Sequence, residues 1–243
     1  PCIAYANHRI LKENKNANII VAPSDHLILK EDEFIRILNK ALEFSKENNA
    51  LLTLGIKPNR VETGYGYIQI NNKEKKDIQD IGITKVKTFT EKPDYEMAKI
   101  FFESGEFYWN SGIFIWSLSS ISEAFDKHLP EVDDLFKLGD SVYNTSEEQD
   151  FIDKTYAECK NISLDYGIME KAQNVYVLCA DFGWSDLGTW GSMYENSQKD
   201  EEQNSIVGEN ILSYDTKNCI INIPDNKLAV IQGLDGLIVV QTE

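Results

Sequence analysis

Two short apolar runs flanking one amphipathic helix restrict the fold more than any other feature of this chain. Asn18-Ile19-Ile20-Val21-Ala22 is continuous and apolar, as expected of a strand buried on both faces of a parallel sheet. Pro23-Ser24-Asp25-His26 breaks that run. From Glu31 to Asn48, the residues Phe34, Ile35, Leu38, Ala41 and Leu42 recur at intervals of three and four, and Glu31, Asp32 and Glu33 suit a positive helix N-terminus. Leu51 to Ile56 reads as the next strand. Strand, helix and strand with short links predict a parallel βαβ unit of right-handed crossover, and so an α/β architecture with helices on the sheet faces.

The rest of the chain extends that plan. An opening helix is expected over Cys2 to Asn14, with Ile3, Tyr5, Ala6 and Ile10 turned inward. Strands are expected at Tyr65 to Ile70, Ile83 to Thr90, Tyr108 to Trp116 and Asn174 to Ala180, with a charged hairpin over Asn71 to Asp80. Helices are expected at Tyr95 to Ser104, Ser119 to Lys127 and Leu187 to Glu195. Leu129 to Asn161 is acidic and helical in pattern, a solvated cover with Val132, Leu135, Phe136, Leu138, Phe151, Ile152 and Tyr156 as its apolar stripe. After the polar link Asn196 to Ser205, short β-like runs separated by turn signals predict a small all-β appendage, giving domains at 1–200 and 205–243.

Composition narrows the class of partner. Forty acidic against 24 basic side chains leave a formal charge of −16, which argues against nucleic acid. Apolar residues at 42% and aromatics at 11% supply a real core. No run of 18 apolar residues predicts a membrane span. The opening residues carry no secretory pattern. Cys2, Cys159, Cys179 and Cys219 contain no Cys-x-x-Cys pair, so neither a disulfide framework nor a zinc site is expected, and a reducing, cytoplasmic compartment fits. His8, His26 and His128 are scattered, and no nucleophile elbow occurs, which leaves covalent catalysis without a candidate.

Five segments could carry chemistry, and each has a plain structural reading beside the functional one. Asp25 follows a strand, where open α/β sheets bind ligands, or it caps a turn. Asp186 stands just before a helix, as a ligand presented at a strand end or as the helix N-cap. Two such aspartates could share one magnesium ion with substrate phosphates. Lys92, kept extended by Pro93, is a compact cation for phosphate, whereas Glu91 alternates to the other side unless the backbone bends; a solvated ion pair is the alternative. Asn110 lies among aromatics in Trp109-Asn110-Ser111-Gly112-Ile113-Phe114, the composition of a sugar pocket or of a bulged core strand. Thr63-Gly64-Tyr65-Gly66-Tyr67 offers either close backbone approach at Gly66 or a tight turn with positive φ.

Taken in order, these strings, together with Phe89-Thr90-Glu91-Lys92-Pro93, Asp165-Tyr166-Gly167-Ile168-Met169-Glu170-Lys171 and Trp184-Ser185-Asp186-Leu187-Gly188-Thr189-Trp190, closely resemble the mannose-1-phosphate guanylyltransferase family along nearly the whole chain. The resemblance implies a Rossmann-like nucleotide-diphospho-sugar transferase fold with a β-helical C-terminal segment. It also implies the reaction of GTP with mannose 1-phosphate to give GDP-mannose and pyrophosphate, with Mg2+, in a homodimer. Asp25 and Asp186 match the family's metal-coordinating aspartates. Lys92 matches its sugar-phosphate lysine, and Gly66, Glu91 and Asn110 match positions that hold sugar hydroxyls. The role at Asp165 stays open.

The same resemblance exposes a departure. The family's opening strand and its Gly-x-Gly-Thr-Arg-Leu-Trp-Pro-Leu-Ser triphosphate loop do not occur here, and Pro1 aligns well inside the family. Roughly the first hundred residues of the nucleotide-binding half are expected to be missing, with loss of sheet strands and of activity in the fragment by itself. A non-catalytic subunit that binds GDP-mannose, or a transferase using another base or sugar, are the other readings.

Overall fold

The computed structural model describes residues 1–70 and 82–241; the hairpin expected over Asn71 to Asp80 therefore lies outside the described residues. The chain opens with α1 (Cys2–Glu13), β1 (Asn18–Val21), β2 (Leu27–Ile28), α2 (Glu31–Glu47), β3 (Leu51–Ile56) and β4 (Tyr67–Ile70). It continues with β5 (Ile83–Thr90), α3 (Tyr95–Ser104), β6 (Phe107–Ser117), α4 (Leu118–His128), α5 (Pro130–Lys137) and α6 (Glu148–Glu158). A π-helical turn at Asp165–Met169 leads to β7 (Val175–Cys179), β8 (Trp184–Ser185) and α7 (Trp190–Asn196). Five short strands close the chain, β9 (Ser205–Val207), β10 (Ile211–Tyr214), β11 (Ile220–Asn222), β12 (Ala229–Gln232) and β13 (Ile238–Val240).

Two compact units result. The first holds Pro1–Ser24 with Ile28–Trp184, and the second holds Asp25–Leu27 with Ser185–Glu243. In the first, a six-stranded mixed sheet has the order β1-β6-β3-β7-β5-β4. β1 and β3 run parallel to each other, as a βαβ unit requires, but β6 lies between them and is antiparallel to both. β3 then pairs in parallel with β7. Alternation on the pleat sends Leu51 to one face, against Trp116, Val177, Phe125 and Phe136. Leu52 and Leu54 go to the other, against Ile115, Leu178, Ile37 and Ala41 of α2. Burying each such side chain contributes about 1.5–3 kcal/mol, so this doubly covered strand anchors the sheet.

Several expectations change in the folded chain. The Asn18 strand is not buried on both faces: β1 is a sheet-edge strand and Ile20 is 38% exposed. Leu138 leaves the apolar stripe of the acidic region, at 74% exposure, because α5 ends at Lys137 and a 3-10 turn rotates the next residues outward. Val132 and Phe136 do face the core. Local chemistry explains the helix ends: Asp94 accepts the Met97 N–H (2.9 Å) at the start of α3, Gly105 closes it at φ 68°, and Ser117 accepts the Ser120 N–H (3.2 Å) at the start of α4.

In the second unit, β9, β11 and β13 form one parallel sheet and β10 and β12 another. Ile211 pairs with Ala229, Ile220 with Ile238 and Lys217 with Asp235, each eighteen residues on, so successive turns of chain stack as coils rather than folding back as hairpins. Cys219, Ile221, Ile223 and Ile231 fill the interior. Asn204 is buried beside them, donating to the Thr216 carbonyl (2.7 Å) and accepting the Cys219 N–H (3.0 Å).

Candidate functional site

In the first unit, three separated segments meet around Gly66. A Cβ on Gly66 would stand 2.6 Å from Glu91 Oε2 and 3.3 Å from Asn110 Cβ, so the absence of a side chain is what allows the Glu91 carboxylate its position. Gly66 is outside the positive-φ residues, so close approach rather than a tight turn explains this glycine. The Gly66 carbonyl accepts the Asn110 N–H (2.8 Å), tying the end of the 63–66 loop to β6.

Asn110 lies on a bulged core strand, one of its two sequence readings. β6 is indeed irregular here: its pairing with β3 shifts between Thr53 and Gly55, and Gly112 takes φ 71°. That irregularity aims the Asn110 amide at polar partners. Its Oδ1 accepts from the Thr53 hydroxyl (2.8 Å) and from the Gly112 N–H (3.3 Å), while Nδ2 donates to Asp165 Oδ1 (3.0 Å).

Glu91 and Lys92 end up together because the backbone bends. The extended conformation expected of Lys92 before Pro93 is not adopted; Lys92 has φ 45°, in the left-handed region. This brings Lys92 Nζ to 3.5 Å from Glu91 Oε1, with the lysine side chain 60% exposed and the glutamate side chain only 10%. Burial pushes the Glu91 carboxyl up, and the negative charge of Asp165 adds to it against the pull of Lys92. Burial raises Asp165 as well, opposed by hydrogen bonds from its own backbone and from Asn110. Glu170 accepts the Glu91 N–H (3.0 Å), and the Tyr166 hydroxyl lies 3.5 Å from the Glu91 carbonyl. The arrangement offers carboxylate acceptors, one amide donor and an exposed ammonium, which suits a polyhydroxylated ligand carrying an anionic group.

The second unit contains both Asp25 and Asp186. Burial pushes the His26 imidazole down, and the charges of Asp25 and then Asp186 oppose that, so both carboxylates act on one ring. The helix expected directly after Asp186 does not begin at Leu187. Leu187 has φ 52°, incompatible with a helix, and α7 starts at Trp190, where Thr189 accepts the Ser192 N–H (3.1 Å) in a capping box. Gly188 makes room for the carboxylate instead: a Cβ there would stand 2.7 Å from Asp186 Oδ2. No group of three or more His, Cys, Asp or Glu side chains suited to a metal occurs among the described residues. A cation held by Asp25 and Asp186 would therefore complete its shell with ligand and water oxygens, the habit of Mg2+.

Sequence reading gives Asp165 no role and passes over Thr53, Tyr166 and Glu170. Thr53 carries a signal, as the one polar residue in the apolar run Leu51 to Ile56, fully buried in β3.

The fold and these motifs define a class: the chain belongs to the nucleotidyl transferase family, which residues 1–203 match. Within that class it is 34% identical over its full length to the mannose-1-phosphate guanylyltransferase of Escherichia coli, of which it covers 52%. It is 35% identical to the alginate biosynthesis protein AlgA of Pseudomonas syringae pv. tomato, again over its full length and 49% of that protein. A crystal structure described as mannose-1-phosphate geranyltransferase from Thermus thermophilus superposes with a TM-score of 0.82 at 29% identity, over 99% of this chain and 67% of that one. The chain thus spans about half the length of the curated relatives it matches. No helix among the described residues is long and apolar enough to cross a membrane.

Proposed function

We propose that this chain is the sugar- and metal-binding part of a guanylyltransferase that converts mannose 1-phosphate and GTP into GDP-mannose and pyrophosphate. The observation that supports it most is the meeting of Gly66, Glu91 and Asn110, three positions far apart in sequence whose roles in the resembling family concern the sugar. The full-length guanylyltransferases among its relatives support the same reading. In this scheme 1–200 acts as the transferase part, 205–243 as a β appendage, and the whole protein works as a cytoplasmic homodimer.

The chemical problem is the approach of two anions. An oxygen of the sugar phosphate forms a bond to the α-phosphorus of GTP while the bond to the β-phosphate bridging oxygen breaks and pyrophosphate leaves. Lys92 holds the attacking phosphate by charge, and Glu91 and Asn110 fix the sugar through its hydroxyls, so the reaction relies on positioning rather than on a protein nucleophile. Asp25 and Asp186 would hold Mg2+, which when bound supplies neutralisation of phosphate charge. The exposed Lys92 side chain suits a phosphate carried in from solvent, whereas a fully buried lysine would not.

Isothermal calorimetry on the full-length protein with mannose 1-phosphate, GTP and dTTP tests this reading. Saturable binding of mannose 1-phosphate and preference for GTP over dTTP are expected, with GDP-mannose formed on mixing. Binding of GDP-mannose without turnover would support the non-catalytic alternative, and preference for another sugar phosphate would reassign the substrate.

A further inference from the structure

The π-helical turn Asp165–Met169 is anchored from below and armed above. Gly167, Ile168 and Met169 are buried, and a Cβ on Gly167 would stand 2.5 Å from Leu129 Cδ1, so the turn is pressed against the end of α4. π-helical backbone of this kind is rare. The groups at its two ends both address the cluster around Gly66: Asp165 receives the Asn110 amide, and Glu170 receives the Glu91 backbone N–H.

We infer that Asp165 is a positioning residue that sets the hydrogen-bond polarity of the sugar site through Asn110, an inference that rests on the sugar-phosphate reading above. An asparagine amide can in general present either its oxygen or its nitrogen to a ligand. Here the choice is made by the neighbours. Turning the amide over would set its oxygen against the Asp165 carboxylate at 3.0 Å and its NH2 group against the Gly112 N–H at 3.3 Å, two mismatches at once. With Oδ1 engaged by Thr53 and Gly112, and one Nδ2 hydrogen engaged by Asp165, the second Nδ2 hydrogen is the donor left for a ligand among the described contacts.

The Glu91 carboxylate beside it accepts. Asn110 and Glu91 thus present a donor and an acceptor side by side, so that of two adjacent sugar hydroxyls one accepts the Asn110 N–H while the other donates to the Glu91 carboxylate. Asp165 also acts on Glu91 by charge, together with Glu170 from the same turn and Lys92 from the neighbouring position.

Two variants of the full-length protein test this. Asp165→Ala frees the amide, and the affinity for mannose 1-phosphate is expected to fall about 10- to 100-fold, the loss typical of a hydrogen bond to a charged group, with GTP affinity unchanged. Asp165→Asn keeps an oxygen for the Asn110 N–H but removes the charge. It should bind within a few-fold of wild type, while the acid limb of the affinity profile for GDP-mannose, whose diphosphate is fully ionised through that range, moves to lower pH. A purely structural residue would move neither the sugar-over-nucleotide selectivity nor that limb.

Wild-type affinity for mannose 1-phosphate in Asp165→Ala, or an unmoved limb in Asp165→Asn, overturns the inference while leaving the sugar reading intact. Absence of mannose 1-phosphate binding in the wild type overturns the reading and the inference with it. If circular dichroism shows Asp165→Ala unfolded, the limb of Asp165→Asn decides.

Discussion

Glu91 and Asp165 are half-buried, enclosed by a strand end, a sheet bulge and a helical turn, and each has fixed partners in Asn110, Lys92 or Glu170. Asp25 and Asp186 stand on loops that follow strands, and what they share is electrostatic reach to the His26 ring. A carboxylate lifted by burial and surrounded by directional donors reads neutral hydroxyls, because geometry rather than net charge decides what fits. A pair of carboxylates on loops suits a cation that brings further oxygen ligands of its own. Asp133 supplies the contrast: it is buried too, but His8 Nε2 and Lys137 Nζ each lie 2.8 Å from one of its oxygens, which leaves it a structural role between α1 and α5.

The largest expected effect separates these groups. Asp186→Ala in the full-length protein should lower GDP-mannose formation at least ~100-fold, as loss of a principal charge-stabilising element does, with mannose 1-phosphate affinity little changed. Near-normal turnover in steady-state assays would remove the cation role. Chelation with EDTA should abolish turnover and added Mg2+ restore it. Gly66→Ala should act in the opposite sense. The new methyl displaces the tip of the Glu91 side chain, so affinity for mannose 1-phosphate by calorimetry should fall about tenfold, with the melting temperature nearly retained because φ is unstrained. A melting temperature lowered as much as the affinity would show the glycine to be structural only.

Asp133→Ala should cost about 1–3 kcal/mol of stability by urea unfolding and leave ligand affinity untouched. Burial alone would raise the Asp133 carboxyl, but the hydrogen bonds from His8 and Lys137 outweigh it and leave it below the ordinary range. Its contribution is therefore present above the unfolded carboxylate pKa and is lost as pH falls through the lower folded value. Glu91 has the opposite sign, its folded pKa being raised. Its contribution to stability is present below the unfolded value and lost as pH rises through the folded one, whereas the proposed sugar contact uses the ionised form. Just above the usual carboxylate range, raising the pH should strengthen GDP-mannose binding while slightly weakening the fold in thermal melts. Parallel trends would break the contrast between recognition and support.

Much of the scaffold was legible because it follows from periodicity. The spacing of Phe34, Leu38, Ala41 and Leu42 on α2 and the break at Pro23 are local properties, and most elements of the first unit fall within a residue or two of their expected limits. On α2, however, Ile35 is 56% exposed and Ile37 fills the core instead, and α7 begins three residues after its expected start. Backbone conformations that run against local preference were not legible. Lys92 before proline favours extended backbone, and Leu187 favours helix, yet both take positive φ in the fold. In each case the departure sits beside a proposed site residue, where tertiary contacts outweigh a preference of a kcal/mol or so.

The residues themselves determined the α/β layering, the family and the chemical types available, since hydrophobic period and motif order need no third dimension. Only the tertiary structure decided that β6 enters between β1 and β3, that Glu91 and Lys92 face each other, and that Asp165 holds the Asn110 amide. The last of these joins side chains 55 residues apart, and no local rule encodes which distant carboxylate a given amide will meet.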